Sequence, residues 1–376
     1  MSQGIGIFSL PRPARLGESF RARLRPPDIE PGEVRAVLRQ YGLAPLAPPS
    51  NLSASRRNHN VAVTTSDGKK LLKRYRPQWR PDTVVYAHSI IERLTQLGFP
   101  VPRLAVAADG RSFVAAEGRI YGLFEFVDGV GYSGRFLLRP DRRRLMALAG
   151  ATMARLHRAL RGFTPAGSHH LGFAAYEGPR RRDVAWHRAK VAELRERSRG
   201  LSSPDARPHA GWLAQHGDAI VEGLAALDAR LEAAPLTRTV IHGDYGLHNL
   251  LFGAGGAVTP VDFELARLEW RLSDLVSCLS RLRYGDGRYD FESIRWFLAA
   301  YDAEHPLSDD EWRLFPQVWA FYKLQGAIQY WGSYFETGGP ARKLASARDA
   351  AEQAAWAELH QGQLLAQLRG ESGRLR

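Results

Sequence analysis

The alternation of apolar and polar residues in the first third of the chain predicts a small antiparallel sheet. The β-rich segments 60–65 and 70–75 flank a turn at 66–68, which is the pattern of a hairpin. A second pair of strands is predicted at 112–116 and 119–127. The two pairs are separated by a segment in which the apolar residues recur at a different spacing. The strands of the sheet are therefore not continuous along the chain.

That segment and most of the remaining chain have apolar residues at helical spacing. The helix between the strand pairs carries Ile90, Ile91 and Leu94 on one face. Further helices are predicted at 29–43, 141–160, 185–199 and 220–233, and again from 273 onward, with Trp296, Trp312, Trp319, Tyr322, Tyr330 and Trp331 as core aromatics. One β-rich island at 239–264 interrupts them.

This order predicts a bilobal α+β fold. We expect an N-terminal arm with a short helix at 1–48, a small β-rich lobe at 49–128, and a larger, mainly helical lobe at 129–376 that contains the β island.

Composition excludes several classes of protein. The 376 residues are 44% hydrophobic, without an apolar stretch that could span a bilayer and without the apolar core of a signal peptide, so we expect a cytoplasmic protein with no membrane contact. The single cysteine, Cys278, excludes an intrachain disulfide and a cysteine-based zinc site. The net charge of +13 favours anionic ligands such as nucleotides. No zinc finger or RNA-binding signature accompanies the arginines, so no nucleic-acid partner is expected.

Oxygen-bearing side chains cluster around the β island. Two apolar strands flank a glycine-rich turn at 253–256, so Asn249 and Asp262, at the two ends of this hairpin, are expected to lie side by side. Two such ligands suit Mg²⁺, which takes its other ligands from phosphates and water. Asp244, in the preceding loop, is a separate carboxylate suited to orienting and deprotonating a hydroxyl. Asp and Asn are also common in turns, but this order and spacing match the division of labour in phosphoryl transfer.

The island also carries a family resemblance. It reads His-Gly-Asp at 242–244, Asn at 249 and Asp-Phe-Glu at 262–264. These motifs resemble the catalytic-loop and metal-binding motifs of the aminoglycoside phosphotransferase and choline kinase superfamily, and the resemblance extends in element order over roughly residues 50 to 340. It implies a protein-kinase-like fold, ATP as the phosphoryl donor and Mg²⁺ as the metal ion.

The resemblance also implies a role for each matching residue. Asp244 corresponds to the catalytic base, and Asn249 and Asp262 correspond to the magnesium ligands. His242 supports the loop without reacting, and Asp274 resembles the aspartate that braces the loop from a helix N-terminus.

Lys73 resembles the lysine that contacts the α- and β-phosphates. Relatives place a glutamate partner for this lysine at a position that falls here on residues 86–88, none of which is acidic. Glu92, about one turn later, is the only glutamate of that helix. Either Glu92 pairs with Lys73 through a shifted register, or another group holds the lysine.

Two further segments resemble nucleotide-binding parts of the family. The loop 53–60, which begins at Ser53, takes the place of the phosphate-covering loop, although it has no glycine. The segment 123–129 resembles the hinge, where backbone groups of Glu125 and Val127 would bind the adenine edge.

The resemblance leaves the acceptor open. The positive charge argues against polycationic aminoglycosides, and the motifs are closer to the homoserine kinase-like, spore-coat-associated and stress-response branches. Arg267 is a candidate contact for an anionic acceptor. We therefore expect an ATP-dependent kinase for the hydroxyl of a small molecule. The alternatives are a protein serine/threonine kinase of the same fold, a nucleotide-binding pseudokinase, and a nucleic-acid-binding protein that uses the arginine-rich arm.

Overall fold

The computed structural model describes residues 29–52, 58–132, 139–169, 183–284 and 287–371, and the chain separates into two compact units. The first unit holds the described residues up to Pro77 together with Ala105–Glu125, and the second holds Gln78–Leu104 and the chain from Phe126 onward. The first is mainly antiparallel sheet and the second mainly helix, which confirms the predicted α+β class. The boundaries after residues 48 and 128 stay a prediction.

The first unit contains a five-stranded antiparallel sheet. Its strands are β1 Ser50–Asn51, β2 His59–Thr65, β3 Gly68–Arg74, β4 Val114–Ala116 and β5 Arg119–Glu125. The order across the sheet is β1-β2-β3-β5-β4. Strands β2 and β3 form the first predicted hairpin and β4 and β5 the second, and β3 joins them by pairing with β5.

Helix α1, Pro31–Arg39, is the short amphipathic helix expected near the N-terminus. One core cluster contains its buried residues Val34, Val37 and Leu38 together with Val61, Val63, Leu72 and Leu123 of the sheet. The apolar face of α1 therefore covers one face of the central strands. Burial of these apolar side chains is the main contribution to the stability of this unit.

A single carboxylate fastens α1 to the sheet. Glu33 accepts hydrogen bonds from Arg74 Nη1 at 2.9 Å, from Arg119 Nη1 at 3.2 Å and from the hydroxyl of Tyr121. Burial alone would raise the pKa of Glu33, but the hydrogen bonds from Tyr121 and Arg74 and the two positive charges outweigh it, so its pKa lies below the ordinary value. Glu33 is therefore ionised at neutral pH.

The second unit is built mainly from helices. They are α2 Pro81–Gln96, α3 Arg142–Ala159, α4 Val184–Arg199, α5 Arg207–Glu232, α6 Arg271–Leu279, α7 Phe291–Glu304, α8 Asp309–Thr337, α9 Arg342–Leu359 and α10 Gln361–Arg369. Helix α8 packs against α4, α5, α6, α9 and α10, while α3 packs against α7. In the part of the chain that the structure describes, no helix combines the length and apolar character needed to cross a bilayer.

The helices differ from the prediction at two places. The helix expected at 220–233 begins earlier, at Arg207. The sequence pattern missed its first half because the buried positions there include the small residues Ala210 and Gly217, which weaken the apolar pattern. Of the six aromatics expected in the core, Trp319 and Trp331 are fully buried, but Tyr330 is 48% exposed. The expectation for Tyr330 was therefore wrong.

The β island forms parts of two small sheets. Its strands and their partners are β6 Val130–Gly131, β7 Arg238–Ile241, β8 Leu250–Phe252, β9 Val258–Pro260 and β10 Arg267–Trp270. Strands β8 and β9 form the predicted hairpin, and β6 adds to it. Strand β7 instead pairs with β10, which lies beyond the predicted island. The loops that follow β7 and β9 carry the candidate residues.

Candidate active site

The loop between β7 and β8 has a backbone conformation that requires glycine at one position. Gly243 has a φ of +77°, in the region that side chains with a Cβ rarely adopt. A Cβ on Gly243 would also lie 2.0 Å from the carbonyl oxygen of Leu265. The close approach of these two backbone segments sets the direction in which the chain enters Asp244.

His242 holds this loop from inside. Its buried Nε2 donates a hydrogen bond to the carbonyl oxygen of Val261 at 3.0 Å, and its Nδ1 lies 3.3 Å from the backbone N–H of Asp244. Burial lowers the pKa of His242, although Asp274, Asp244 and Asp262 all act to raise it. The imidazole is therefore neutral at pH 7, and it supports the loop through hydrogen bonds.

Asp274, in the first turn of α6, braces the same loop. Its Oδ1 accepts from the N–H of Gly243 at 2.8 Å, and its Oδ2 accepts from the N–H of His242 at 2.7 Å and from His157 Nε2 at 3.2 Å. The hydroxyl of Tyr301 lies 2.8 Å from the other ring nitrogen of His157. Burial would raise the pKa of Asp274, but these donors outweigh it and the pKa is lowered.

Asp244 lies on the loop that His242 and Asp274 hold in place. Its side chain is 22% exposed, and Arg281 Nη2 donates to its Oδ1 at 2.8 Å. Its Oδ2 accepts from Asn249 Nδ2 at 3.2 Å and lies 3.5 Å from His248 Nε2. Burial alone would raise the pKa of Asp244, but the hydrogen bond from His248 and the charge of Arg281 outweigh it and lower the pKa strongly. Asp244 is therefore ionised at neutral pH.

The β8–β9 hairpin brings Asn249 next to the residue before Asp262. The N–H of Val261 donates to the carbonyl oxygen of Asn249 at 2.9 Å. The amide nitrogen of Asn249 donates to Asp244, which leaves the amide oxygen as the atom available to a cation. Asp262 has a φ of 69° and a ψ of 63°, a left-handed conformation in which Asp is tolerated better than most residues. The hairpin thus supplies two hard oxygen donors.

The other predicted residues are placed as follows. Lys73 is buried on β3 in the first unit, and Glu125 is the last residue of β5. Glu92 is exposed on α2 in the second unit, and Val127 is half-buried after β5. Ser53 lies outside the described residues. The nucleotide-binding roles of these five residues, including the pairing of Lys73 with Glu92, stay predictions.

The sequence interpretation named Arg267 and missed Arg281, the arginine that contacts Asp244. Arg267 Nη1 donates to the carbonyl oxygen of Leu265 at 3.1 Å, and its Nε lies 4.0 Å from Glu269, so its charge is used within β10 and the preceding turn. Arg281 reaches Asp244 from a position 37 residues further along the chain. The only signal in the sequence is that it follows directly on the buried helix α6, where a charged residue needs a partner.

Comparison with known proteins identifies the family. Residues 50–313, more than half of the chain, match the family model described as the phosphotransferase enzyme family. A homoserine kinase from Gluconacetobacter diazotrophicus is 28% identical over 290 residues, which cover 77% of this chain and 82% of the relative.

Solved structures show the same fold. A microcompartment-associated aminopropanol kinase superposes with a TM-score of 0.61 at 17% identity, over 89% of this chain and 98% of the other. The amicoumacin kinase hAmiN, in complex with AMP-PNP and Ca²⁺, gives 0.59 at 16% identity, over 92% and 95%. The ligands of that neighbour thus include a nucleotide analogue and a divalent metal ion.

These findings confirm the kinase-like fold and the expected small-molecule phosphotransferase. The chain therefore belongs to the phosphotransferase enzyme family.

Proposed function

We propose that this enzyme transfers the γ-phosphoryl group of ATP, with Mg²⁺, to the hydroxyl of a small molecule, and that Asp244 is its catalytic base. The observation that carries the proposal is the geometry of Asp244, an ionised carboxylate anchored by Asn249 and Arg281 on a loop fixed from behind by Asp274. Positioning of this kind is the main contribution that a protein makes to phosphoryl transfer.

Asn249 and Asp262 are the proposed metal ligands. An amide oxygen and a carboxylate are hard donors of the kind that Mg²⁺ prefers, and Mg²⁺ binds through few protein ligands when phosphates are present. The bond from the amide nitrogen of Asn249 to Asp244 fits this role, because it fixes which atom of the amide faces away from the base. When bound, the ion neutralises charge on the phosphates.

Asp244 would act on the acceptor hydroxyl. It orients the hydroxyl and accepts its proton as the oxygen bonds to the γ-phosphorus, and the bond from that phosphorus to the bridging oxygen breaks, releasing ADP. Lys73 is the proposed contact for the α- and β-phosphates, with Glu92 as its candidate partner. Backbone groups of Glu125 and Val127 are proposed to contact adenine, and the loop that begins at Ser53 to cover the phosphates.

The acceptor is proposed to be small. The relative with 28% identity is named for homoserine, and the compared structures are named for aminopropanol and amicoumacin, so no similarity favours a protein substrate. Homoserine is therefore the first acceptor to assay.

Two substitutions separate the base from the metal ligands. Asp244→Asn should bind Mg·ATP with near-normal affinity by calorimetry, while turnover, measured as ADP formation with homoserine, falls by about 10²–10⁴-fold. Asp262→Asn should lose metal-dependent nucleotide affinity, because an amide cannot neutralise charge on the ion. Asp218→Asn, at an exposed carboxylate on α5, is the matched control and should leave both quantities unchanged.

Three results would contradict the proposal. Loss of nucleotide binding in Asp244→Asn with retention in Asp262→Asn would reverse the two roles. Undiminished turnover in both would exclude this loop as the active site. A wild-type protein that binds neither ATP nor GTP at millimolar concentration would refute the kinase function itself.

A further inference from the structure

Arg281 lies beside the proposed base, and its side chain is partly exposed to solvent. Its side chain is 41% exposed, although Nη2 is bonded to Asp244. Gly246 makes room for it, because a Cβ there would lie 3.3 Å from Arg281 Nη1 and still closer to the ring of His248. Burial would lower the pKa of Arg281, but the nearby Tyr322 on α8 and the charge of Asp244 outweigh it and raise the pKa. Arg281 is thus a cation next to the point where the acceptor hydroxyl must lie.

A second cation, Lys323, lies behind Arg281 in the interior of α8. Lys323 is 9% exposed, and its Nζ is 3.4 Å from the carbonyl oxygen of Ser280, the residue before Arg281. The ammonium also lies 5.6 Å from the ring centre of Tyr289 and 6.0 Å from that of Trp319. Among the described residues no carboxylate is within salt-bridge distance of Lys323, so a carbonyl and two rings stand where a counter-ion would be expected.

The other charged groups near Lys323 are paired with each other. Arg283 is paired with Asp349, at 2.7 Å, and that pair is neutral as a whole. Burial lowers the pKa of Lys323 to about 7, with Arg283 and Arg281 lowering it further and Asp349 opposing them. The pair of Arg281 with Asp244 is likewise neutral. Among the described residues around it, Lys323 is therefore the basic group that has no carboxylate at salt-bridge distance.

We infer that the acceptor carries an anionic group, a carboxylate or a phosphate, and that Arg281 and Lys323 form the subsite that binds it. This inference rests on the proposed function, since it takes Asp244 as the base. The same cations disfavour an acceptor whose only charge is an amine, because a like charge so close to a guanidinium and an ammonium is repelled. An anionic acceptor would supply the missing counter-ion of Lys323.

The subsite would also couple acceptor binding to activation of the base. Both oxygens of Asp244 have protein partners, Arg281 on Oδ1 and Asn249 and His248 on Oδ2. An anion that competes for Arg281 frees Oδ1 of Asp244 for the acceptor hydroxyl. An acceptor without an anion leaves Arg281 on the base.

The test compares hydroxyl compounds in matched pairs. The carboxylate arm uses homoserine and its decarboxylated counterpart, and the phosphate arm uses glycerol phosphate and glycerol. In at least one of the two arms, kcat/KM should be about 10- to 100-fold higher for the anionic compound than for its neutral or amine counterpart. This is the effect of one charge-assisted hydrogen bond. In Arg281→Gln and in Lys323→Met this ratio should fall toward one. Arg313→Gln, at an exposed arginine of α8, is the control and should keep the wild-type ratio.

The ratio of the two kcat/KM values separates recognition of the anionic group from a general loss of activity, because a change that impairs Asp244 slows both compounds of a pair. A wild-type ratio of one or less in both arms overturns the inference but leaves the proposed function standing. If Arg281→Gln slows both compounds of a pair equally and leaves the ratio unchanged, Arg281 acts only on Asp244, and the inferred subsite is also overturned. If none of the four compounds is phosphorylated, calorimetry in the presence of Mg·AMP-PNP decides: equal or absent binding of anionic and neutral members refutes the subsite. Failure to bind the nucleotide refutes the proposed function instead.

Discussion

Replacing Asp274 by asparagine should destabilise the protein and disable the loop that carries Asp244. The two oxygens of Asp274 accept three hydrogen bonds, from the N–H groups of Gly243 and His242 and from His157. Asparagine keeps one oxygen. Whichever way the amide turns, its NH₂ group faces at least one buried N–H donor.

The expected size follows from these bonds. A buried donor left without an acceptor costs about 1–3 kcal/mol, and the bonds that remain lose the contribution of the negative charge. We therefore expect Asp274→Asn to lower the free energy of unfolding by about 3 kcal/mol at pH 7. Movement of the loop by about 1 Å should reduce turnover by about 10²-fold.

Urea unfolding with matched controls checks the prediction. Asp183 caps α4 and accepts from the N–H of Trp186 at 2.7 Å in an exposed position. Because asparagine caps helices as well as aspartate does, Asp183→Asn should change stability by less than about 0.5 kcal/mol. A loss below about 1 kcal/mol in Asp274→Asn, with the control behaving as expected, would refute the argument.

The pH dependence gives an independent check. The pKa of Asp274 is lowered in the folded protein, so between its folded and unfolded pKa values the unfolded state binds more protons and stability rises with pH. This contribution is fully present above the unfolded pKa of about 4 and is lost as the pH falls through the folded pKa. The difference between wild type and Asp274→Asn should therefore shrink in acid.

Four further substitutions test other features. Gly243→Ala places a Cβ 2.0 Å from the carbonyl oxygen of Leu265 and should reduce turnover at least about 10²-fold in the ADP assay; normal turnover would contradict the constraint. Gly150→Ala places a Cβ 2.2 Å from a backbone oxygen of α7 and should cost about 1–3 kcal/mol in urea unfolding, whereas Gly211→Ala, with open space around it, should stabilise by about 0.5–1 kcal/mol. Burial lowers the pKa of Lys323 to about 7, so the unfolded state binds the extra proton between about pH 7 and 10. The stability advantage of Lys323→Met should shrink over that window by up to about 1.4 kcal/mol per pH unit, and a difference independent of pH would show that the ammonium carries no such penalty.

Local patterns were sufficient to predict the parts of the site that are close in sequence. The Asn249–Asp262 pair follows from one hairpin, whose register is fixed by a short glycine turn between apolar strands. The two strand pairs of the first unit followed in the same way, because each hairpin joins neighbouring segments.

Contacts between distant segments could not be predicted from local patterns. Arg281 meets Asp244 only because α6 ends beside the loop, and His157 meets Asp274 through the packing of α3. Neither contact leaves a period or a spacing in the sequence. The left-handed backbone of Asp262 is similar: tertiary packing holds a conformation that the local sequence does not require.

The attachment of α1 has a practical consequence for choosing a fragment to express. The family match begins at residue 50, after α1. A protein shortened to that limit would lose Glu33, leave the guanidinium of Arg74 without its carboxylate at a position that is 6% exposed, and open Val61 and Leu72 to water. A buried cation that has lost this carboxylate and an uncovered apolar sheet face favour misfolding and aggregation. The segment that identifies the family is thus shorter than the segment that must be present for the sheet to fold.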